Sequence, residues 1–349
     1  MINNTQALSA IEKAVKYNTH FFAYRLPGDE EIHFGAQIID QRTSVGFFIH
    51  PFVETANTPC CFISSQLNAE KYLKMPQSAL PKKICRAVDA NATTKEEYID
   101  QADRTITALK SGEYRKIVLS RTIYEAATYD EKKWTEVFNT LTIENPNAFV
   151  FIFNTEETGF WLGASPEKYL SYNDKTLATM ALAGTRLCDT QDSWGDKEIE
   201  EQKMVSDYIA TKFDEANIEY EMSPIYTRKA GGIEHLCNDF TANVSKPTNV
   251  DTMRSSLHPT PALAGIPSTE AIKFIGNTEL HSRRYYGGYI GPFDAAGNFN
   301  LYVNLRSLEF DGNGYCIYAG GGLTADSISE QEWQETAHKS QTLLKAITI

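Results

Sequence analysis

Residues 148–185 read AFVFIFNTEETGFWLGASPEKYLSYNDKTLATMALAGT. Ala148 to Phe153 is a short apolar run of Phe, Val and Ile, the pattern of a strand buried on both faces. Gly159 to Thr185 continues as a hairpin-like succession of strands, with no helical period between them. A doubly wound parallel sheet would need a helix in each such interval, so this stretch argues for antiparallel pairing.

Working outward, the neighbouring segments agree. A strand is expected at Lys116 to Ile123, a helix at Glu131 to Thr142, and a helix at Thr94 to Ser111 with Glu96 and Glu97 in its first turn. Short strands are expected around Phe21 to Tyr24, Ile32 to Ile38 and Val45 to Ile49. In the later half, a helix from about Lys197 to Ala216 precedes strands near Ile218 to Tyr226 and Ile233 to Val244. A helix after Pro267, strands between Tyr285 and Tyr318, and a helix from about Ser327 complete the chain. Strand clusters and helices alternate without regular spacing, and no Pro/Gly/Ser linker divides them. The expected fold is α+β, one compact domain over residues 1–349 built from two interlocked sheets.

Bulk properties narrow the function classes. The 349 residues are 42% hydrophobic and 22% charged, which suits a packed core and not disorder. With 33 basic and 45 acidic side chains the formal charge is −12, which disfavours nucleic acid and anionic membranes as partners. No eighteen-residue apolar run and no cationic leader pattern occur, so the expected location is cytoplasmic. Cys60, Cys61, Cys85, Cys188, Cys237 and Cys316 are dispersed, and neither they nor the histidines show a metal-ligand spacing. An oxygen-bound metal remains open.

Two acid pairs stand at helical spacing. Glu198 and Glu201 lie three apart on one expected helix, and Glu332 and Glu335 three apart on the last. Acids at a helix start can simply complement its dipole. Yet the first face continues through Val205, Tyr208 and Ile209, which points Glu198 and Glu201 inward. Two carboxylates ~4 Å apart repel by roughly 4 kcal/mol at an effective dielectric near 20. A shared cation offsets that cost, and carboxylates with retained waters suit Mg²⁺. Lys339 follows Glu335 by four residues, as a surface pair or as a site cation. Gly320-Gly321-Gly322 is either a turn or a close backbone approach to an anion. Lys116 at a strand start, Glu167 after Pro166, and Arg306 among apolar neighbours stay undecided between solvated charges and site residues.

Taken together, seven segments resemble the chorismate-utilising enzymes, the family of isochorismate, anthranilate, aminodeoxychorismate and salicylate synthases. They are Lys116-Ile-Val-Leu-Ser-Arg121, Gly163-Ala-Ser-Pro-Glu167, Leu182-Ala-Gly-Thr185, Lys197-Glu-x-x-Glu201, Leu257-His-Pro-Thr-Pro-Ala-Leu-Ala-Gly265, Tyr286-Gly-Gly-x-x-Gly291 and Glu332-Trp-x-Glu-Thr336. They span about residues 116–339, whereas residues before about 90 carry little of the resemblance. It implies a fold of two stacked antiparallel or mixed sheets flanked by helices, and Mg²⁺ as cofactor, with Glu201 and Glu335 as direct ligands and Glu198 and Glu332 beside the metal. It implies that Arg306, Lys339 and the backbone near Gly184, Thr185 and Gly320 hold the carboxylates of chorismate. Ala262 and Leu263 are expected against the substrate, His235 either there or as a hydrogen-bonded core histidine, and Lys116 and Glu167 as base and acid.

Three positions imply the branch. Lysine at 116 matches members that add water. Ala183 stands where aminodeoxychorismate synthases carry a nucleophilic lysine, and Ala262 where pyruvate-eliminating members carry threonine. The expectation is therefore isochorismate formation without a glutamine amidotransferase partner, for menaquinone first and a catechol siderophore second. Salicylate synthesis and a silent chorismate-binding homologue are the alternatives. Gln202 departs from the family, which often has histidine there.

Overall fold

The computed structural model describes residues 4–80, 92–127, 130–188, 193–230 and 233–348. Cys85 and the segment around it lie outside the described residues. The apolar run at the centre of the sequence reading forms the strand Phe149–Thr155, buried along its whole length. Its alternation sorts side chains into two layers. Val150 and Ile152 face a core shared with helices, while Phe149, Phe151 and Phe153 face the opposing sheet.

Two antiparallel sheets result. One runs, edge to edge, through Gly265–Ile266, Lys116–Ala126, Gly314–Leu323, Ser307–Phe310, Gly159–Ser165, Phe149–Thr155, His20–Arg25 and His33–Gln37. The other runs through Glu221–Met222, Ile233–Asn243, Thr176–Leu187, Lys168–Asn173, Phe299–Val303, Tyr289–Phe293, Gly46–His50 and Cys61–Ser64, with Tyr226–Ala230 pairing onto Ile233–Asn243. Helices Asn4–Lys16, Glu131–Glu144 and Ser329–Thr348 pack on the first sheet through Ile11, Phe138 and Leu343. Helices Asp196–Glu215 and Pro247–Ser256 add Val205, Ile209 and Met253 to the core of the second. Helix Lys95–Lys110 opens with a capping box, in which Thr94 and Glu97 satisfy each other's backbone amides. The α+β expectation of two stacked sheets with flanking helices holds.

Two expectations need correction. The stretch Gly159 to Thr185 is not one hairpin succession: Gly159–Ser165 belongs to the first sheet and Lys168–Asn173 to the second. Pro166, which has no amide to donate, ends the pairing, and the chain crosses between layers there. The strand expected over Ile218 to Tyr226 shrinks to Glu221–Met222 and the start of Tyr226–Ala230, interrupted at Pro224 for the same reason. The helix Pro247–Ser256 had no sequence expectation.

A later crossing between the sheets lies at Asn304–Arg306, where the chain leaves Phe299–Val303 and enters Ser307–Phe310. These two crossings are joined by backbone hydrogen bonds, Val303 N to Glu167 O at 3.0 Å and Ala164 N to Arg306 O at 3.1 Å. This pair of crossings is what places charged side chains between the layers.

Candidate active site

Lys116 is not at a free sheet edge. Its strand lies between Gly265–Ile266 and Gly314–Leu323, it pairs with Ile266, and it is 1% exposed. Burying an ammonium requires a partner, and Lys116 Nζ donates to Glu201 Oε1 at 2.7 Å. Opposite, Gly322 must lack a side chain: a Cβ there would lie 2.7 Å from Lys116 Cε and 2.8 Å from Glu201 Oε1. The glycine run is thus a close approach between strand and helix, with Gly320–Gly322 facing Ser120–Val118 in the ladder.

Glu167, on the Pro166 crossing, is buried, and its backbone amide bonds Ser165 Oγ at 3.3 Å. Burial raises its pKa to about 7, although Lys116 and Lys339 pull the other way. Arg306, on the later crossing, holds a left-handed backbone at φ 46°. Burial lowers its pKa to about 10, so it stays a cation at neutral pH.

His235 sits at a bulge, where the register shifts so that Gly184 and Thr185 oppose one residue. Its Nδ1 lies 2.8 Å from Gly184 O, which can only accept, so Nδ1 carries the proton and Nε2 accepts from Arg306 Nη2 at 3.4 Å. Burial, then Arg306, holds the ring's pKa down at about 3, so it is neutral. His235 is at once a hydrogen-bonded core histidine and a wall of the cleft.

These groups line one cleft of about 810 Å³, counting the solvent at its mouth. Lys116, Glu167, Gly184, Thr185, Glu201, His235, Ala262, Leu263, Arg306, Gly320, Glu335 and Lys339 all face it. Lys339 Nζ bonds Gly320 O at 3.0 Å and pairs with Glu335 at 2.7 Å. The sequence reading missed Arg283, Tyr286 and Tyr318, which complete the wall. Tyr286 had a signal, since it opens the Tyr286-Gly-Gly segment; Arg283 and Tyr318 had none.

Glu198 and Glu332 do not line the cleft. Glu198 folds back over Gly195, where a Cβ would meet its Oε2 at 2.6 Å. Glu332 lies just behind the wall, buried, with Oε1 accepting from Ser327 Oγ at 2.7 Å and facing Lys197 at 3.4 Å. Its Oε2 is buried without a partner. Burial and the neighbouring Glu335 raise the Glu332 pKa. Burial also opposes the Glu201 charge, but Lys116, Lys339 and Lys197 more than offset it and hold that pKa low. A divalent cation fits this set: an orphaned carboxylate oxygen and the Glu335 carboxylate both lie against the side-chain-free Gly321, at 3.3 and 3.6 Å from where its Cβ would be. Hard oxygen donors of this kind suit Mg²⁺.

Residues 36–348 match the family model for "Chorismate binding enzyme". The chain belongs to that family. Among its relatives, the salicylate-biosynthesis isochorismate synthase of Pseudomonas aeruginosa is 29% identical over 273 residues, covering 74% of this chain and 56% of that protein. Anthranilate synthase component 1 of Thermococcus kodakarensis is 26% identical over 269 residues, covering 73% and 60%. The chain thus spans less than two thirds of the length of these relatives. The solved structure of MenF, the menaquinone-specific isochorismate synthase of Escherichia coli, superposes with a TM-score of 0.80 at 20% identity, covering 98% of this chain and 91% of that one. That likeness establishes the two-sheet fold. Among the described residues no helix is long and apolar enough to cross a membrane.

Proposed function

We propose that this cleft converts chorismate to isochorismate in a Mg²⁺-dependent isomerisation. The observation that carries the reading is one cleft faced by both the buried Lys116 and the buried Glu167, whose pKa is raised to about 7. General acid–base chemistry needs such a group poised near the working pH. The isochorismate synthases among the relatives support the reaction type. Ala183 and Ala262 in the cleft wall support the branch, because neither supplies a nucleophile or a hydroxyl.

In this mechanism Arg306 and Lys339 bind the two carboxylates of chorismate, and neutral His235 fixes the Arg306 guanidinium through Nε2. The step requires Lys116 to give up the proton it shares with Glu201; the amine then takes one from the water that attacks the ring carbon next to the carboxylate-bearing carbon. The ring double bonds shift, and the bond to the departing hydroxyl breaks with its electron pair on oxygen. Glu167 protonates that oxygen, so one water enters and one leaves. Mg²⁺ on Glu201 and Glu335, with Glu332 behind them, would anchor the ring carboxylate, spread developing charge and loosen Glu201's hold on Lys116.

The test is chromatography of products from chorismate and Mg²⁺ alone. Isochorismate without pyruvate or need for glutamine is expected. Stoichiometric pyruvate makes the protein a salicylate synthase, and no turnover makes it a binding homologue. Menaquinone is our first reading of the product's route and a catechol siderophore the second; loss of the gene in its host should remove the one or the other.

A further inference from the structure

Far along the second sheet from the carboxylate pairs, the strand Gly46–His50 turns into the loop that leads to Cys61–Ser64. A nitrogen of His50, a carboxylate oxygen of Glu54 and the Cys60 sulfur lie within 4.8 Å of one another there. No other His, Cys, Asp or Glu group among the described residues meets that spacing. The linear spacing matches no metal motif, and the fold alone brings the three together. Thr55 and Thr58 exchange backbone hydrogen bonds at 3.2 and 3.1 Å, which reverses the chain and returns Cys60 to Glu54. The Cys60 amide then donates to Glu54 Oε1 at 3.2 Å.

His50 is prepared as a ligand. Its Nδ1 lies 2.8 Å from Pro51 O, which can only accept, so the proton is on Nδ1 and the lone pair on Nε2. A backbone carbonyl on the far nitrogen is how ligating histidines are oriented. The ring is held flat on Tyr289, centroids 4.5 Å apart, and edge-on to His258 at 4.8 Å.

We propose that His50 Nε2, the Glu54 carboxylate and the Cys60 thiolate bind a borderline-soft divalent cation of the zinc class, with water completing a tetrahedron. Mixed nitrogen, oxygen and sulfur donors select zinc over magnesium. One thiolate and one carboxylate balance the double positive charge. Binding breaks the Cys60 S–H bond: the electron pair stays on sulfur and is shared with the metal, and the proton leaves to solvent, with no change in oxidation state. The site closes the loop that carries Phe52, whose ring lies 4.4 Å from the Arg283 guanidinium of the cleft wall. It is therefore a structural clip, separate from the carboxylates of the cleft.

Cobalt titration of the full chain in saturating Mg²⁺ tests this, reading thiolate-to-cobalt charge-transfer absorption, which carboxylate sites cannot give. One equivalent is expected in the wild type, with none in Cys60→Ser. The signal should persist in Cys61→Ser, because that sulfur faces Pro59 O and the Tyr285 hydroxyl instead. Glu54 is exposed, so Glu54→Gln should fold normally and keep the absorption with roughly tenfold weaker binding. Absence of the absorption in wild type, its survival in Cys60→Ser, or unchanged affinity in Glu54→Gln would each overturn the assignment.

Discussion

The space between the two sheets is filled in opposite ways at its two ends. Towards the edge formed by residues 20–64 it is packed with rings: Phe22 stacks on Phe47 at 5.2 Å and Phe149 on Tyr302 at 4.2 Å, each pair joining one sheet to the other. The rings continue through Phe151, Phe153, Trp161 and Tyr318 to Tyr286, with successive centroids 5.3 to 6.5 Å apart. There the packing stops, because Tyr318 and Tyr286 are already walls of the cleft. Beyond them the same layer holds Lys116, Glu167, Arg306 and Glu201. One end stabilises the sandwich through apolar burial; the other keeps charges dry against that burial. Damage at the first end should therefore read out in stability, and at the second in turnover.

The largest expected effect is at the charged end. Lys116→Ala and Glu167→Gln should each lower kcat roughly 10²–10⁴-fold in both reaction directions, the usual range for a general acid or base. Chorismate binding measured directly should survive, since Arg306 and Lys339 remain. In the wild type kcat/KM should fall as pH rises through about 7, where Glu167 loses the proton it donates. Near-normal turnover of Lys116→Ala would end the acid–base reading.

Phe149→Ala sharpens the contrast from the other side. Truncating a fully buried Phe that stacks on Tyr302 should cost about 3–5 kcal/mol in urea unfolding. The folded fraction should keep its kcat and KM. A kinetic defect without a stability loss would show that the two ends are not independent.

Glu167 links both readouts. Its pKa is raised from 4.5 to about 7, so the folded chain holds the proton more tightly than the unfolded chain does. That contribution is fully present below pH ~4.5 and is lost as pH rises through about 7, on the order of 3 kcal/mol in all. Glu167→Gln cannot ionise. The inactive variant should then be the more stable protein at pH 8, by up to about 3 kcal/mol, and the difference should vanish near pH 4. Parallel stability curves for the two proteins would mean that the carboxyl is not desolvated as the structure has it.

The same contrast explains what could be read from sequence. Strands buried on both faces, such as Phe149–Thr155, announce themselves by composition, and capped helices such as Lys95–Lys110 by Thr94 and Glu97. Apart from Arg283 and Tyr318, the charged and polar cleft residues stood in recognisable segments because their chemistry restricts their type. The ring-filled end was recognisable as strands but not as a family feature, since many apolar side chains can fill such a space. Hidden altogether were the crossings at Pro166 and Asn304–Arg306, because a Pro166 turn reads the same whether the chain folds back or changes layer. The helix Pro247–Ser256 was missed because its buried face is short, only Val250 and Met253 with Leu257 just past its end, among polar neighbours.

The smallest expected effect is at Glu198, and it divides two readings of the acid pair. Spacing alone put Glu198 and Glu201 on one inward face, and family resemblance put both near the metal. The helix begins at Asp196, so Glu198 sits in its first turn, with its carboxylate folded back over Gly195 and outside the cleft wall. An acid there interacts with the helix dipole, an effect of ~0.3–1 kcal/mol. Glu198→Gln should therefore lose about that much stability and leave the Mg²⁺ dependence of turnover within about threefold of wild type, a shift of under ~1 kcal/mol. Glu201→Gln and Glu335→Gln, whose carboxylates face the cleft, should abolish turnover. If Glu198→Gln instead raises the Mg²⁺ requirement as strongly as they do, the carboxylate must swing inward when the metal binds. The helix-start position would then be only its resting place.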